Sequence, residues 1–207
     1  MKGLFITLEG SDGCGKSTIT KLLTNYLKGE GYNIVTTREP GGTKISEMIR
    51  DIILDSKNTK MSSITEALLY AASRAQHVEE IIIPALKEGK IIICERFIDS
   101  SLVYQGIGRN LGINKIKEIN DFATQNIEPD LTLFFDISPK QAINRRKNRR
   151  EKDRLERESV KFHKDVYEGY LKIIDMYPER IKTIDAAGNL DFTFNQVKRL
   201  VNDKLKI

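Results

Sequence analysis

The feature that most constrains the fold is a glycine-rich segment, Gly10-Ser-Asp-Gly-Cys-Gly-Lys-Ser17, which fits the pattern G-x-x-x-x-G-K-[ST]. It stands between a continuous apolar run, Leu4–Leu8, and an amphipathic helical pattern, Lys16–Gly29. Glycines let backbone N–H groups turn around phosphate oxygens, and the helix N-terminus adds its positive dipole end. The segment therefore predicts a strand–loop–helix unit of an α/β fold that binds a nucleoside triphosphate such as ATP.

The chemistry of this loop assigns roles to its side chains. The Lys16 ammonium is expected to reach the β and γ phosphates, and the Ser17 hydroxyl to ligate Mg²⁺. A glycine-rich turn that binds nothing is the alternative, and the strand before the loop with the helix after it argues against that alternative. The predicted ATP-binding residues of the loop are Gly10, Ser11, Asp12, Gly13, Cys14, Gly15, Lys16, Ser17 and Thr18.

The order of apolar and amphipathic segments predicts the rest of the fold. Short apolar runs that are continuous rather than alternating are typical of buried parallel strands. They occur at Leu4–Leu8, Asn33–Thr37, Ile91–Cys94, Leu131–Ile137 and Lys182–Ile184. Helical patterns lie between them, at Lys16–Gly29, Ile45–Leu54, Thr65–Glu88, Lys115–Gln125, Pro139–Asn148, Glu158–Met176 and Phe194–Lys206. This alternation predicts a three-layer fold, a five-stranded parallel sheet with helices on both faces.

Length and composition limit the classes of protein. The 207 residues suit one α/β domain, residues 1–207, and no run of eighteen apolar residues predicts a membrane span. The N-terminus lacks a signal-peptide cleavage pattern, and Cys14 and Cys94 fit neither a zinc site nor a disulfide framework. We therefore expect a cytoplasmic protein. The net charge is +5, but the densest basic run also contains acids and lacks interleaved aromatics, so a small polyanionic substrate is favoured over nucleic acid.

Two further segments favour a kinase over other nucleotide-binding classes. No N-K-x-D motif of a GTPase is found, and the third apolar run ends in Glu95-Arg96 rather than the Asp-Glu of a motor ATPase. An acid there can hold Mg²⁺ through water, and the arginine can bind a second anionic group. The basic run from Arg145 to Arg157 suits either a solvated helix face or a mobile lid over the triphosphate; beside this loop the lid is favoured.

The chain resembles the thymidylate kinase family over nearly its whole length, most strongly from Leu4 to Glu156. Four blocks carry the resemblance: Glu9 to Thr18, Thr37 to Gly42, Glu95 to Gly106, and Asp153-Arg-Leu-Glu156. The resemblance implies the P-loop nucleoside-monophosphate-kinase fold and transfer of the γ-phosphate of Mg·ATP to dTMP. It also implies a homodimer built from helices. The charge pattern and the lack of a long apolar run predict that neither nucleic acid nor a membrane is a partner.

The resemblance also implies roles for particular residues. Arg38 to Gly42 would border the acceptor site, with a Glu39–Pro40 bond that is often cis in the family. Tyr70 would stack on thymine and Arg74 would hydrogen-bond it; Tyr104 would lie under the deoxyribose. Arg96 would bind the acceptor phosphate, and Asp12 would lie near the reaction centre. The implied dTMP-binding residues are Glu39, Arg50, Tyr70, Arg74, Arg96, Ser101, Tyr104 and Gln105.

The catalytic arginine is expected in the lid, residues 145–157, as in bacterial members of the family, which lack an arginine in the loop. Arg149 aligns best with it and Arg154 second, while Arg145 aligns with a residue that packs on adenine. The implied catalytic residues are Lys16, Arg149, Asp12, Arg96 and Glu95, with Ser17 and Glu95 at the metal. Three positions depart from the family pattern: Glu95 replaces an aspartate, Phe97 replaces a tyrosine or histidine, and Tyr70 replaces a common phenylalanine.

Two alternatives remain open on the sequence. The acceptor could be another nucleoside monophosphate or a deoxynucleoside, and a deoxynucleoside hydroxyl would need a general base. The second alternative is a nucleotide-dependent switch that catalyses no reaction. The Lys16–Ser17 pair and the arginine-rich run argue against it. His77 and His163, the only histidines, are expected to be structural or surface residues. No histidine base is needed, because a phosphate monoester with a second pKa of about 6 is already a nucleophile at neutral pH.

Overall fold

The sheet confirms the predicted α/β fold class. A computed structural model of the chain describes residues 3–145 and 153–207. Five strands form one all-parallel sheet in the order β2-β3-β1-β4-β5. The strands are β1 (Leu4–Glu9), β2 (Ile34–Arg38), β3 (Ile91–Glu95), β4 (Leu131–Asp136) and β5 (Ile181–Asp185).

Helices connect successive strands and cover both faces of the sheet. The α-helices are α1 (Lys16–Gly29), α2 (Lys44–Leu54), α3 (Ser63–His77), α4 (Ile83–Lys87), α5 (Ile98–Ser101), α6 (Ile113–Thr124), α7 (Pro139–Arg145), α8 (Val160–Met176) and α9 (Leu190–Leu205). Two π-helical segments, Val78–Ile82 and Leu102–Gly108, continue α3 and α5. Within residues 3–145 and 153–207, no helix has the length and apolar character that crossing a bilayer requires.

Most predicted elements are confirmed, and the helical region after β3 was missed. The predicted helix Thr65–Glu88 is observed as α3 and α4 with a π-helical segment between them. Residues 98–108 were left without a predicted helix because they carry two glycines and few polar positions to mark a face. Packing decides their structure: Leu102 and Val103 are buried against α8. The predicted end of α7, residues 146–148, lies outside the described residues.

Alternation along the central strand explains the two apolar faces of the sheet. In β1, Ile6 and Leu8 pack with α1 and α9, whereas Phe5 packs on the opposite face with α4 and the segment Val78–Ile82. On that second face, β4 and β5 pack against α8. The core is therefore divided into layers above and below one sheet, as the period-2 geometry of a strand requires.

The sheet order places its carboxyl edge under the candidate site. The central strand β1 has β3 on one side and β4 on the other, so the chain leaves neighbouring strands in opposite directions. In open α/β sheets a crevice forms at this point, outside the carboxyl ends of the strands. Glu9, Arg38 and Glu95 end β1, β2 and β3 at this edge.

Candidate active site

A cleft of about 410 Å³ opens at the carboxyl edge of the sheet, and most of the predicted site residues line it. Lysine and arginine side chains meet tyrosine rings and a few carboxylates there, which suits an anionic ligand with an aromatic part. Lining residues predicted from the sequence are Asp12, Gly13, Gly15, Lys16, Ser17, Thr18, Glu39, Arg50, Tyr70, Arg74, Glu95, Arg96, Tyr104 and Gln105.

The glycine-rich loop joins β1 to α1 in the conformation that its sequence predicts. Gly10, Gly13 and Gly15 have φ values of 134°, 88° and 103°, which side chains with a Cβ rarely adopt. At Gly10 an added Cβ would lie 2.8 Å from the Phe135 carbonyl oxygen, so the loop must run close to β4. Lys16 Nζ donates to the carbonyls of Gly10 (2.9 Å) and Ser11 (3.0 Å), which holds the ammonium inside the loop.

Two oxygen donors suited to magnesium lie side by side at the mouth of the loop. Ser17 Oγ, in the first turn of α1, donates to Glu95 Oε2 at the end of β3 over 2.7 Å. The extra methylene of Glu95, compared with the family aspartate, therefore does not keep its carboxylate from the hydroxyl. Residues 3–145 and 153–207 contain no group of three or more His, Cys, Asp or Glu arranged for a metal. Magnesium bound through few protein oxygens, with substrate phosphates supplying others, fits this donor set.

Arg96 links the loop to the opposite wall of the cleft. Its backbone has a φ of 67°, and its guanidinium donates to Asp12 Oδ1 (2.7 Å) and to Ser100 Oγ (3.0 Å). The guanidinium also lies over the Tyr104 ring, 5.3 Å from the centroid. Burial alone would lower the pKa of Arg96, but Tyr104, Asp12, Tyr170 and Glu9 outweigh it and raise that pKa, so the cation is permanent.

A buried carboxylate, Glu9, fixes the turn that carries Arg96. Glu9 ends β1 and accepts from the backbone N–H of Phe97 (2.8 Å), from Ser100 Oγ (2.6 Å) and from Tyr170 OH (2.8 Å). Burial, and then the charge of Asp99, raise the pKa of Glu9. Glu9 begins the first sequence block that carries the family resemblance, Glu9 to Thr18. Its position beside the glycine-rich loop gave no sign that it anchors the turn after β3.

Arg74 is wholly enclosed at the floor of the cleft. Its Nε donates to Glu39 Oε2 (2.7 Å), and its Nη1 donates to Ser101 Oγ (2.9 Å) and to Asn120 Oδ1. Its Nη2 donates to the Phe97 carbonyl (3.1 Å). Four of the five guanidinium N–H groups thus have protein acceptors, and one donor remains for a ligand in the cleft.

The segment after β2 forms the rim of the cleft beside α2 and α3. The Glu39–Pro40 peptide bond is cis, in agreement with the expectation from the family resemblance. Arg50 Nη1 donates to the Pro40 carbonyl (2.6 Å), and His77 Nδ1 lies 2.9 Å from Glu39 Oε1. His77 is fully buried and also contacts Thr37, which agrees with its predicted structural role.

The remaining cleft wall carries the two tyrosines and Gln105. Burial raises the pKa of Tyr104 to about 12 and raises that of Tyr70, so both phenols are neutral at physiological pH. Gln105 Nε2 donates to Glu66 Oε1 (2.9 Å) from the π-helical segment Leu102–Gly108. The wall therefore presents two neutral aromatic rings and one amide to the cleft.

Several predicted residues do not line the cleft. Gly10, Ser11, Cys14 and Ser101 are not among its lining residues, and neither is Arg145, whose Nη2 donates to the Ala187 carbonyl (3.5 Å). Arg149 lies outside the described residues. Arg154, the second candidate for the lid arginine, is directed into the protein, where its Nη1 lies 2.6 Å from Glu66 Oε2 and its Nε donates to the Ile53 carbonyl.

Four lining residues were not predicted at the site: Leu54, Ser100, Asp153 and Leu155. Arg38 and Pro40, which also line the cleft, belong to the segment Arg38 to Gly42 that was expected to border the acceptor site. Of the four, all except Leu54 lie within the sequence blocks that carry the family resemblance, so membership of those blocks could have predicted them as site residues. Leu54 ends α2 and has no local pattern that separates it from other core leucines.

Fold and cleft define a P-loop kinase that acts on a small phosphorylated acceptor. The model of a family described as "Thymidylate kinase" matches residues 8–197. A thymidylate kinase of Lactobacillus helveticus is 53% identical over 208 residues, covering 99% of this chain and 98% of the relative. One of Thermoanaerobacter sp. is 56% identical over 190 residues, 92% and 93% of the two chains.

A solved structure agrees with these relatives. The crystal structure of a thymidylate kinase from Ehrlichia chaffeensis superposes with a TM-score of 0.78 at 33% identity, covering 97% of this chain and 99% of that one. The chain belongs to the thymidylate kinase family.

Proposed function

We propose that the protein transfers the γ-phosphate of Mg·ATP to dTMP, giving dTDP and ADP on the route to dTTP. Membership of the thymidylate kinase family supports this reaction. The observation that carries it is one cleft that holds both a P-loop and a second cationic centre, with Arg96 bonded to Asp12 of the loop. Two phosphorylated substrates can then meet between Lys16 and Arg96.

On the donor side, the loop residues Gly10 to Thr18 would bind the phosphates of ATP. Backbone N–H groups of the positive-φ glycines and the N-terminus of α1 would contact the oxygens, and Lys16 would follow the migrating charge. Arg145 would contact adenine. Its hydrogen bond to the Ala187 carbonyl, in the loop after β5, supports an adenine site beside that loop.

On the acceptor side, Arg96 would hold the dTMP phosphate, and Asp12 would orient Arg96 and lie near the reacting oxygens. Tyr70 would stack on the thymine ring and Tyr104 would lie beneath the deoxyribose. The remaining N–H of Arg74 and the amide of Gln105 would read the base edge, with Ser101 and Glu39 positioning Arg74. Arg50 would add positive charge at the rim.

Magnesium would be held by Ser17 and Glu95, whose oxygens already lie 2.7 Å apart. When bound, the ion neutralises charge on the β and γ phosphates. The chain's own contribution is to position the two nucleotides and to exclude water. We assign the remaining charge stabilisation to Arg149 in a lid at 145–157, a proposal that rests on the family resemblance.

We further propose that the protein is a single kinase domain, works in the cytoplasm and forms a homodimer through α2 and α3. Ile45, Met48 and Ile52 lie on one face of α2 and are 48–61% exposed, and Ile64 and Leu68 of α3 are 64% and 51% exposed. An apolar face of this kind marks an interaction site. Light scattering of the wild type beside Met48→Glu tests the dimer; a wild-type monomer would refute it.

The reaction is tested with a panel of acceptors in an assay that detects ADP. dTMP should outcompete dCMP and dGMP, because the wrong base leaves buried polar groups unpaired. Discrimination against dUMP should be smaller than against dCMP and dGMP, because one methyl group contributes only about 1–3 kcal/mol. Activity on thymidine instead of dTMP, or equal use of dCMP, would favour the alternative of a kinase for a deoxynucleoside or another nucleoside monophosphate.

A further inference from the structure

A buried carboxylate on α3, Glu66, collects three donors from distant parts of the chain. Glu66 is 1% exposed and accepts from Gln105 Nε2 (2.9 Å). Arg109 donates to both of its oxygens, through Nε (3.1 Å) and Nη2 (3.0 Å), and Arg154 Nη1 lies 2.6 Å from Oε2. None of these partners was predicted from the sequence to meet Glu66.

The two arginines keep Glu66 ionised. Burial by itself would raise the pKa of Glu66, but the hydrogen bonds from Arg109 and Gln105 and the charges of Arg109 and Arg154 outweigh it. The pKa is therefore held below the usual value. An ionised carboxylate accepts hydrogen bonds and cannot donate one.

This charge state dictates the orientation of the Gln105 amide. A carboxylate can pair only with the NH₂ end of the amide, so the carbonyl oxygen must point away from Glu66. Gln105 lines the cleft, and within residues 3–145 and 153–207 its Oε1 has no hydrogen-bond donor. The amide oxygen is thus available to accept a hydrogen bond from a ligand in the cleft.

We propose that Glu66 is a specificity-determining positioning residue, which fixes Gln105 with its carbonyl oxygen toward the acceptor base and so selects bases that carry N3–H. The inference rests on the proposed function. Thymine and uracil have a donor at N3, whereas N3 of cytosine is an acceptor. Cytosine would therefore set two acceptors against each other, and Glu66 prevents the amide rotation that would relieve the conflict.

The test is Glu66→Gln, a variant of the same shape whose side chain can donate as well as accept. Gln105 can then rotate and present its NH₂ group to cytosine. The ratio of kcat/KM for dTMP to that for dCMP should fall about tenfold, the effect of one hydrogen bond exchanged for a mismatch. The ratio for dTMP to dUMP should stay unchanged, because both bases carry N3–H. A dTMP-to-dCMP ratio equal to wild type overturns the proposal.

Arg109→Gln is the matched control. It removes a cation from the same buried cluster but leaves Glu66 as an acceptor for Gln105. Its dTMP-to-dCMP ratio should match wild type even if its stability falls. An equal change in both variants would mean that any disruption of the Glu66 cluster alters the dTMP-to-dCMP ratio. The proposed positioning role of Glu66 would then be wrong.

A double-mutant cycle tests whether Glu66 acts through Gln105. In a Gln105→Ala background, Glu66→Gln should change the ratio no further; an additional fall of the same size overturns the proposal. If Glu66→Gln does not fold, the test is the binding of N3-methyl-dTMP to the wild type. This analogue should bind at least about tenfold more weakly than dTMP. Equal binding of the two nucleotides would overturn the proposal. A wild type that phosphorylates dCMP and not dTMP would instead refute the proposed function.

Discussion

Arg96 and Asp12 lie 84 residues apart in sequence, yet their side chains share a 2.7 Å hydrogen bond across the floor of the cleft. Asp12 belongs to the glycine-rich loop, and Arg96 follows β3 in a left-handed backbone conformation. The pair joins the two cationic regions of the cleft, so the position of Arg96, which we propose binds the acceptor, depends on the glycine-rich loop. Disrupting this hydrogen bond should therefore weaken the binding of the acceptor substrate more than the binding of ATP.

Arg96→Lys tests that expectation while keeping the charge. Lysine has no planar fork, so it cannot hold Asp12, Ser100 and a phosphate oxygen together. We expect the KM for dTMP to rise about tenfold or more, with the KM for ATP changed little. Steady-state kinetics with each substrate varied in turn provide the measurement. An equal rise in both KM values would count against the assignment of Arg96 to the acceptor.

Lys16→Ala should lower kcat about 10²–10⁴-fold, because one preorganised charge at the transferring phosphate is lost. Lys16 Nζ bonds within its own loop, to the carbonyls of Gly10 and Ser11 and to Cys14 Sγ, so the fold should persist and the circular dichroism spectrum should not change. Lys21→Ala is the control, since Lys21 is exposed on the same helix. Near-normal turnover of Lys16→Ala would refute the phosphate-binding assignment.

Ser17→Ala should raise the magnesium concentration needed for half-maximal activity by about tenfold or more. The hydroxyl lies 2.7 Å from the Glu95 carboxylate, and its removal leaves one oxygen where two could bind the ion. Ser17→Thr keeps the hydroxyl and should retain most of the magnesium response. Magnesium titrations at saturating ATP separate the two variants, and identical titration curves would place the metal elsewhere.

The sequence predicted the parts of the site that are built locally. The glycine-rich loop is a short pattern between a strand and a helix, and its φ values follow from the glycines themselves. The five strands were found because buried parallel strands are continuous apolar runs. Roles for Tyr70, Arg74 and Tyr104 came from the family resemblance, since an aromatic or an arginine in a helix has no local signature of a ligand site.

What the sequence missed depends on contacts between distant residues. Arg74 meets Asn120 over 46 residues, and Glu9 meets Ser100 over 91, and no periodicity marks such pairs. Arg154 was the second candidate for the lid arginine from the family resemblance, and its pairing with Glu66 had no sequence signal. Buried charge clusters of this kind are set by the packed fold, so pattern analysis cannot distinguish them from a solvated helix face.

The lid assignment predicts different outcomes for two neighbouring arginines. If Arg149 is the catalytic arginine that the family resemblance implies, Arg149→Ala should lower kcat and kcat/KM together while the KM for ATP changes little. Arg150→Ala removes the same charge from the same run and should matter much less. Steady-state kinetics of both variants decide: equal losses would indicate a general electrostatic effect, and no loss in either would move charge stabilisation to Arg96.

Glu66→Gln should also change the pH dependence of stability. Because the folded-state pKa of Glu66 lies below its ordinary value, the ionised carboxylate stabilises the fold above about pH 4.5, and this contribution is lost as the pH falls through the lowered pKa. The variant should be about 3 kcal/mol less stable than wild type at pH 7, because two arginines lose their buried partner, and the difference should shrink toward pH 3. Urea unfolding across this range measures it. Asp165→Asn, which breaks an exposed pair with Lys161, should change stability little at any pH. A constant difference between Glu66→Gln and wild type would show that the ionisation of Glu66 does not stabilise the fold.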